Sequence, residues 1–510
     1  MFLTYVHAWL ALWLAIYGLN TVILVLLCLL HRRADANPPA TDQVALPPVT
    51  VQVPVYNERH VIERVIDSVA ALDYPRDRLQ IQILDDSTDE TTRLARARAA
   101  FHRRRGVDVT VLRRPDRRGF KAGALDWGMS QARGEYIAIF DADFCPRPDF
   151  LLRTIPHFLA RPRLGLVQTR WSYLNAGYSP LTQAQALALD GHFGVEQPAR
   201  DRSGLLMSFN GAAGVWRRRC IEKSGGWRAD TLCEDLDLSY RAQLGGWQGR
   251  YLLAVDTPAE VPPQIAAFKR QQARWAQGSV QVLRKLGRPI LRSRRLNPAQ
   301  KAMALIHLSN YLAHPLMVLL LLISLPLLLV PASMQLSLGG LGLVCLGPLL
   351  VYVVSQQRLY PDWGRRLRAL PLLVLIGIGI AWRNTQAVWR GLTRWGGSFA
   401  RTPKFQLEGK RGRWSDSGYR LRTDASVIGE LALTCYALIV ASVASVTGRY
   451  EVVPFSLLYA VAFGTVAGIE IFQALKPRLP RLLVPDAEKR ISSERYHRRS
   501  ERRSRGQRVG

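Results

Sequence analysis

The sequence predicts an α/β domain with a mainly parallel sheet, inserted between the transmembrane helices of a multi-pass membrane protein. Between residues 49 and 290, short apolar runs rich in β-branched residues alternate with helical patterns, as in repeated βαβ units. Apolar runs long enough to cross a bilayer flank that region on both sides. The chain of 510 residues is therefore expected to hold one soluble-type domain between membrane segments.

The first element is an apolar run at residues 7–30, which we interpret as an uncleaved transmembrane helix within a first unit of residues 1–33. A charged start and a small-residue cleavage site, the marks of a signal peptide, are not evident. The basic group His31-Arg32-Arg33 follows the run and is expected on the inner side of the membrane. Residues 34–48 contain Asn-Pro-Pro and Leu-Pro-Pro and predict a linker.

Residues 49–290 are predicted to form the α/β domain on the cytosolic side. Strands are expected at 49–53, 79–84, 108–112 and 135–140, with helices at 58–72, 89–105 and 121–132 between them. Neither G-x-G-x-x-G nor a P-loop is present, which disfavours a dinucleotide or NTPase site of those types.

Residues 291–475 predict a second membrane region, with full spans at 303–330, 333–354, 425–447 and 452–475. The run at 369–389 is less apolar, and the loops that flank it, 355–368 and 390–424, are both strongly basic. Both loops should therefore lie inside, which favours an interfacial or re-entrant helix at 369–389 and five full spans. Six spans is the alternative. The tail at 476–510 is basic and is predicted to be disordered or to lie along the membrane.

The net charge of +30 would also suit a nucleic-acid-binding protein. The basic clusters, however, follow hydrophobic runs, as positive residues do on the inner side of a membrane. We therefore expect the lipid bilayer as the partner of this charge, and no nucleic acid.

Acidic and polar residues follow three of the predicted strands. They lie in Pro54-Val-Tyr56-Asn-Glu58, in Asp85-Asp86-Ser-Thr-Asp89 and in Asp141-Ala-Asp143. The carboxyl ends of parallel strands meet at one edge of a sheet, where α/β folds bind ligands. Asp141 and Asp143 can share one face, and two close carboxylates suit Mg²⁺ or Mn²⁺. Taken singly, each loop is as compatible with turn or N-cap chemistry.

Three further stretches carry candidate residues. Lys121 stands at a predicted helix start, where a phosphate would be bound, although a solvated lysine is the simpler interpretation. Glu234 and Asp235 precede an amphipathic helix and fit either a general base or ordinary helix capping. The segment Gln271-Gln-Ala-Arg274-Trp275 fits an amphipathic helix at the membrane surface, with Trp275 either stacking on a sugar or anchoring the interface.

In this order, the motifs resemble those of the processive family 2 glycosyltransferases, which include cellulose and hyaluronan synthases. The pattern D, D-x-D, E-D, Q-x-x-R-W appears as Asp85/Asp86, Asp141-x-Asp143, Glu234-Asp235 and Gln271 to Trp275. The chain is most similar to the cellulose-synthase-like A and C types, which make mannan and glucan backbones. The shared segments include Lys121-Ala-Gly-Ala-Leu125 and Phe209-Asn-Gly-Ala-Ala-Gly.

The resemblance implies a GT-A catalytic domain that uses a nucleotide-diphospho-sugar and inverts the anomeric carbon. By that analogy the nucleoside lies among Tyr56, Glu58, Asp85 and Asp86, and Lys121 meets the diphosphate. Asp141 and Asp143 engage the divalent metal, with Asp141 also near the donor. Asp235 is the base, with Glu234 beside it, and the acceptor end is shaped by Gln271, Arg274 and Trp275.

Several alternatives stay open at this point. The product is expected to be a β-linked polysaccharide, β-1,4-mannan or glucan, that grows as the acceptor and is translocated; a single transfer to a lipid, as in ceramide glucosyltransferases, is the alternative. The donor is UDP-glucose or GDP-mannose, and which of Asp85 and Asp86 faces it is undecided. The expected location is a bacterial inner membrane, with accessory or export subunits possible as partners. The segment Arg401-Thr-Pro-Lys-Phe405 has no physical explanation beyond a basic surface loop.

Overall fold

The computed structural model of the chain describes residues 1–31, 46–329, 346–399, 401–415, 417, 419, 421 and 423–475. Most of the predicted linker at 34–48, the first part of the predicted span at 333–354, and the basic tail at 476–510 lie outside the described residues.

Within the described residues, a seven-stranded sheet forms the centre of the soluble domain. Its strands are β1 (Val49–Val55), β2 (Leu79–Asp85), β3 (Val109–Leu112), β4 (Tyr136–Ile139), β5 (Leu164–Tyr173), β6 (Gly214–Arg217) and β7 (Gln248–Ala259). The order is β3-β2-β1-β4-β6-β5-β7, and of these strands β6 alone runs antiparallel to its neighbours. The predicted mainly parallel sheet is confirmed.

Helices cover both faces of this sheet. They are α2 (Ile62–Ala70), α3 (Thr91–Arg103), α4 (Phe120–Met129), α5 (Phe150–Leu159), α8 (Arg218–Lys223) and α9 (Glu234–Leu244). Successive strand residues point to opposite faces. Accordingly, Ile83 packs in one apolar cluster with α2, α3 and α5, and Leu84 packs in a second cluster with α4, α8 and α9.

The strand register brings the predicted polar loops together. Val55, the last residue of β1, pairs with Asp85, the last residue of β2. On the other side of β1, Gln52 pairs with Ile139, the last residue of β4. The residues that follow β1, β2 and β4 therefore emerge side by side at one edge of the sheet.

Two helical stretches connect the sheet with the membrane helices. The first consists of α6 (Pro180–Gly191), a π-helical turn at His192–Glu196, and α7 (Gln197–Arg202). The second is α10 (Ile265–Arg292), which contains the predicted amphipathic segment and extends well beyond it.

Among the described residues, four helical segments are long and apolar enough to cross a membrane. They are α1 (Phe2–Leu30), Pro298–Leu328, α17 (Ser426–Val446) and α18 (Val453–Leu475). The second of these comprises α11 (Pro298–Ser309) and α12 (Ala313–Leu328), and α13 (Gly347–Leu359) follows it.

The region of the predicted interfacial helix is bent. The short α14 (Trp363–Arg366) and α15 (Leu370–Gly379) meet α16 (Ala381–Thr393) at an angle of 44°. A broken span and a re-entrant loop both have this shape, and counting the pair as one span gives five in the described residues. The choice between five and six spans stays a prediction.

A buried ion triad joins α10 to the last two membrane helices. The ammonium of Lys269 lies 2.5 Å from Glu430 Oε1 in α17 and 2.7 Å from Glu470 Oε2 in α18. All three side chains are buried. Because a buried charge is tolerated only when it is paired, this triad fixes the position of α10 against the membrane region.

Candidate active site

A cavity of about 660 Å³ extends from the carboxyl edge of the sheet to the membrane helices. Its lining includes every residue of the predicted site except Asp85. These are Tyr56, Glu58, Asp86, Lys121, Asp141, Asp143, Glu234, Asp235, Gln271, Arg274 and Trp275. The four separate motifs of the sequence therefore meet at one cavity.

Asp86 faces this cavity, and Asp85 does not. Asp85 is buried and accepts hydrogen bonds from the backbone N–H of Ser87 at 2.9 Å and from Thr92 Oγ1 at 2.6 Å. Asp86 lines the cavity and accepts two hydrogen bonds from Arg114, at 2.8 and 2.6 Å. Asp85 thus stabilises the loop before α3, and of the two carboxylates only Asp86 lines the cavity.

Lys121, in the first turn of α4, is held at the sheet edge by two acceptors. Its ammonium lies 2.5 Å from Asp141 Oδ1 and donates to the carbonyl of Gly211 at 3.0 Å. Burial opposes the charged form, but the attraction of Asp141 and Glu234 outweighs it and raises the pKa of Lys121. The lysine therefore stays a cation inside the cavity.

Asp143 is buried beside a segment from the far end of the chain. Its carboxylate accepts a hydrogen bond from the backbone N–H of Glu260 at 3.0 Å and from Lys404 Nζ at 2.7 Å. Lys404 belongs to the segment Arg401–Phe405, to which the sequence assigned no role. The interpretation of this segment as a basic surface loop is wrong, because Lys404 is ion-paired at the edge of the sheet.

Arg401, in the same segment, contacts the loop that follows β1. It donates to the carbonyl of Tyr56 at 3.2 Å, and its guanidinium lies 3.6 Å from Glu58 Oε1. Burial raises the pKa of Glu58 to about 8, although Arg401 and Lys404 oppose this shift. No signal in the sequence pairs this segment with the sheet edge, since about 260 residues separate Asp143 from Lys404.

The carboxylates at this edge fit a divalent cation that is shared with a ligand. Among the described residues, no three or more His, Cys, Asp or Glu side chains converge on one point as a metal cage. Asp141 and Asp143 are two hard oxygen donors on one edge, and each is now paired with an ammonium group. Two carboxylates completed by phosphate oxygens are the coordination that Mg²⁺ uses with nucleotides.

Asp235 lies in the first turn of α9, opposite Lys121. Its Oδ1 accepts the backbone N–H of Leu236 at 2.8 Å. Gly211 has a φ of +83°, which favours glycine, and a Cβ there would come within 2.9 Å of the Oδ2 of Asp235. Burial and the neighbouring charge of Glu234 raise the pKa of Asp235 to about 7. A carboxyl group with that pKa is poised to accept a proton near neutrality.

The helix α10 places the Gln271–Trp275 motif beside Asp235. A Cβ at Gly278 would lie 2.4 Å from the sulfur of Cys233, so this glycine permits the close approach of α10 to the start of α9. The guanidinium of Arg274 lies 4.1 Å from the ring centre of Phe399. Phe399 in turn stacks on Phe120, next to Lys121.

Beyond this motif the cavity reaches the membrane helices, where its polar lining is mostly uncharged. The hydroxyl of Tyr311 donates to Gln272 Oε1 at 3.1 Å, and Tyr311 stacks on His314. The imidazole of His314 contacts the amide of Asn384 at 3.0 Å. Apolar residues such as Ile376 complete this end.

The mainly parallel sheet with acidic residues and a largely buried lysine at its carboxyl edge fits a GT-A type sugar-nucleotide fold. The comparisons agree with this class. Residues 47–278 match the family described as "Glycosyltransferase like family 2".

Plant proteins are similar to about half of this chain. The chain is 41% identical over 271 residues to glucomannan 4-beta-mannosyltransferase 1 of Oryza sativa subsp. japonica, covering 52% of each chain. It is 41% identical over 255 residues to glucomannan 4-beta-mannosyltransferase 7 of Arabidopsis thaliana, covering 49% of this chain and 46% of the relative. The chain thus spans about half the length of the curated relatives it matches.

A solved structure supports the fold. The mannosyltransferase PcManGT from Pyrobaculum calidifontis, in complex with GDP-Man and Mn²⁺, superposes with a TM-score of 0.51 at 24% sequence identity. The match covers 76% of this chain and 99% of that chain. The GT-A fold inferred from the motifs is confirmed.

Proposed function

We propose that this protein is a metal-dependent, inverting mannosyltransferase that polymerises β-linked mannan from GDP-mannose and passes the product toward the membrane. One observation carries the proposal: a single cavity joins the acidic sheet edge, Asp235 and the membrane helices. The choice of mannose over glucose is supported by the relatives named glucomannan 4-beta-mannosyltransferase.

The donor occupies the sheet edge. We assign the nucleoside to the surroundings of Tyr56, Glu58 and Asp86, with Asp85 supporting the loop that carries Asp86. The Lys121 ammonium meets the diphosphate, since a buried cation next to a helix N-terminus attracts phosphate.

Asp141 and Asp143 would hold Mg²⁺ or Mn²⁺ together with the donor's phosphate oxygens. A cation bound there would stabilise the negative charge that develops on the leaving diphosphate. Both carboxylates are paired with lysines in this structure, so Lys404 would have to leave Asp143 for a cation to bind there.

The transfer itself is a single displacement. A hydroxyl oxygen of the acceptor attacks the anomeric carbon as its bond to the diphosphate oxygen breaks, and Asp235 takes the hydroxyl proton. The electron pair of the broken bond leaves with GDP, beside Lys121. Attack from the opposite face converts the α-linked donor into a β-linkage. Glu234 assists by keeping the pKa of Asp235 high.

The acceptor end lies against α10. Gln271, Arg274 and Trp275 line the cavity between Asp235 and the membrane helices, and an indole face suits a sugar ring. The polar groups of Tyr311 and His314 further along would contact the hydroxyls of a growing chain.

A lipid acceptor is the second candidate. The membrane end of the cavity also contains Val351, Leu373 and Ile376, which would suit an acyl or prenyl chain. A single transfer to a lipid would use the same donor edge and the same base.

We place the domain of residues 49–290 on the cytosolic side of a membrane. The apolar helices fit a membrane protein, whereas relatives from plants do not support the expected bacterial inner membrane. Accessory or export subunits stay a prediction.

The test uses the full chain in lipid nanodiscs, supplied separately with GDP-mannose or UDP-glucose and with Mg²⁺ or Mn²⁺. We expect GDP release and a product of high molecular weight from GDP-mannose. Nucleotide release from UDP-glucose alone would overturn the choice of donor, and a product that stays in the lipid extract would favour the lipid acceptor.

A further inference from the structure

A second polar group lines the cavity near Asp235 and takes no part in the steps above. It consists of Glu196, His192 and Asn210, from the π-helical turn and from the segment before β6. His192 Nδ1 lies 2.9 Å from Glu196 Oε2, and His192 Nε2 lies 3.0 Å from Asn210 Nδ2. π-Helical turns inside α-helices are rare and occur frequently at functional sites.

The backbone carbonyl of Ser208 determines which atom donates and which accepts in each hydrogen bond of this group. The backbone carbonyl of Ser208 can only accept, so the Gln197 atom 2.7 Å from it is the amide nitrogen. That nitrogen also donates to the side-chain oxygen of Asn210 at 2.6 Å. The amide nitrogen of Asn210 must therefore face His192, whose Nε2 accepts.

The histidine is then held as one neutral tautomer. Since Nε2 accepts, the ring proton is on Nδ1 and points at the Glu196 carboxylate. Burial alone would raise the pKa of Glu196, but the hydrogen bond from His192 and the charge of Arg200 oppose it, and the net shift is downward. A negative carboxylate thus orients the imidazole, and the imidazole orients the Asn210 amide.

Asn210 lies in the part of the chain that packs along the base. Phe209, before it, donates its backbone N–H to Ser239 in α9 at 2.8 Å. Gly211, after it, lies against Asp235 and accepts the Lys121 hydrogen bond. The Asn210 amide has two hydrogens, and its nitrogen has no hydrogen-bond partner other than His192 among the described residues.

We propose that Glu196 and His192 position the Asn210 amide so that its second N–H binds the terminal hexose of the acceptor and presents the attacking hydroxyl to Asp235. The proposal rests on the proposed function, because it concerns the acceptor of that same transfer. The ligand is a neutral sugar, for which an uncharged donor of fixed direction is suited, whereas a cation at this position would also attract the diphosphate.

The test compares two substitutions of His192 that differ only in reach. In H192Q the side-chain oxygen reaches the position of Nε2 and can accept from Asn210. In H192N the amide reaches only the position of Nδ1 and loses Asn210. Full-length variants in nanodiscs are titrated with β-1,4-mannohexaose by calorimetry, and the KM for this acceptor is measured with GDP-mannose.

We expect H192N and N210A to weaken mannohexaose binding about five- to tenfold, the loss of one neutral hydrogen bond, and to raise the acceptor KM equally. H192Q should stay within about twofold of the parent protein, and all variants should keep its affinity for GDP-mannose. H102N is the matched control, because His102 forms a similar pair with Asp67, at 2.7 Å, away from the cavity.

Equal effects of H192Q and H192N, or a loss confined to donor affinity, would overturn the positioning role. So would H192N binding mannohexaose as the parent protein does. The binding measurement tests the role of His192 separately from the proposed donor. A parent protein that binds mannohexaose but releases no GDP from GDP-mannose would refute the donor. The variants would still show whether His192 positions Asn210.

Discussion

The two halves of the cavity differ in charge. At the sheet edge, Asp86, Asp141 and Asp143 each lie within 2.7 Å of a cationic side chain. Toward the membrane, most polar groups are amides, imidazoles and phenols, such as Asn210, Tyr311 and His314, and the charged groups there are Glu196 and Arg274. Charges are thus concentrated where a diphosphate would leave, and uncharged groups are concentrated where a sugar chain would lie.

The difference indicates how one cavity can serve two ligands. A charged group inside protein attracts opposite charge strongly and pays a large desolvation cost when it is left alone. At the sheet edge, which we call the donor half, this cost is avoided because Asp86, Asp141 and Asp143 are each paired with a cationic side chain of the protein. The end toward the membrane, which we call the acceptor half, holds few charges and would bind neutral sugars by oriented hydrogen bonds and ring stacking. Asp235 lies at the boundary between the halves.

The largest loss of turnover is expected when Asp235, at this boundary, is replaced. Asp235→Asn removes the proton acceptor and should lower turnover about a thousandfold, within the range for a general base. GDP-mannose affinity, measured by calorimetry, should change little. Asp230→Asn, on the exposed loop before α9, serves as the control. A variant that loses donor affinity but keeps turnover would assign Asp235 to the donor half.

Removing a donor carboxylate should have the next largest effect. Asp143→Ala is expected to weaken Mn²⁺-dependent binding of GDP-mannose about ten- to a hundredfold, since a charged contact in a buried site is lost. The affinity for mannohexaose should be unchanged. Asp77→Ala, at an exposed ion pair, is the control. Similar losses for both ligands would mean that the halves are not separate.

The pH dependence tests the boundary residue without a substitution. Only ionised Asp235 can take a proton, and the pKa of Asp235 is about 7 in the free protein. The value of kcat/KM for the acceptor should therefore fall about tenfold per pH unit below pH 7 and level off above it. A profile that is flat between pH 5.5 and 8 would contradict this role.

The smallest effect is expected on Mn²⁺ affinity, when Lys404, the lysine ion-paired with Asp143, is replaced. Lys404→Met removes a competing cation and should tighten the binding of Mn²⁺ alone about three- to tenfold, as judged from the free Mn²⁺ signal in electron paramagnetic resonance. Lys410→Met, at an exposed position shortly after the segment Arg401–Phe405, should have no effect. Weaker Mn²⁺ binding by the Lys404 variant would instead make this lysine a part of the cation site.

The sequence was sufficient to predict those parts of the site that depend only on the pattern of neighbouring residues. Asp141 and Asp143 stand after an apolar strand, and the ends of parallel strands share an edge, so their meeting with Asp86 follows from the fold. The distinction between Asp85 and Asp86 required the register and the contacts of Asp85 with Ser87 and Thr92, which no spacing rule supplies.

The rest of the site depends on tertiary contacts. Lys404 reaches Asp143 because the segment after α16 folds back over the sheet edge, and a basic loop between membrane helices gives no sign of this. His192 and Asn210 meet because a π-helical turn interrupts a helix, and packing determines that turn. Phe209-Asn-Gly belongs to a motif shared with the cellulose-synthase-like proteins, but the motif alone assigns no role to Asn210.

The most direct test of the account is the product formed by the full chain in nanodiscs with GDP-[¹⁴C]mannose and Mn²⁺. The account predicts a long polymer that β-1,4-mannanase degrades, with almost none formed by the Asp235→Asn protein. A labelled lipid carrying one mannose, or a polymer that this enzyme does not degrade, would contradict it.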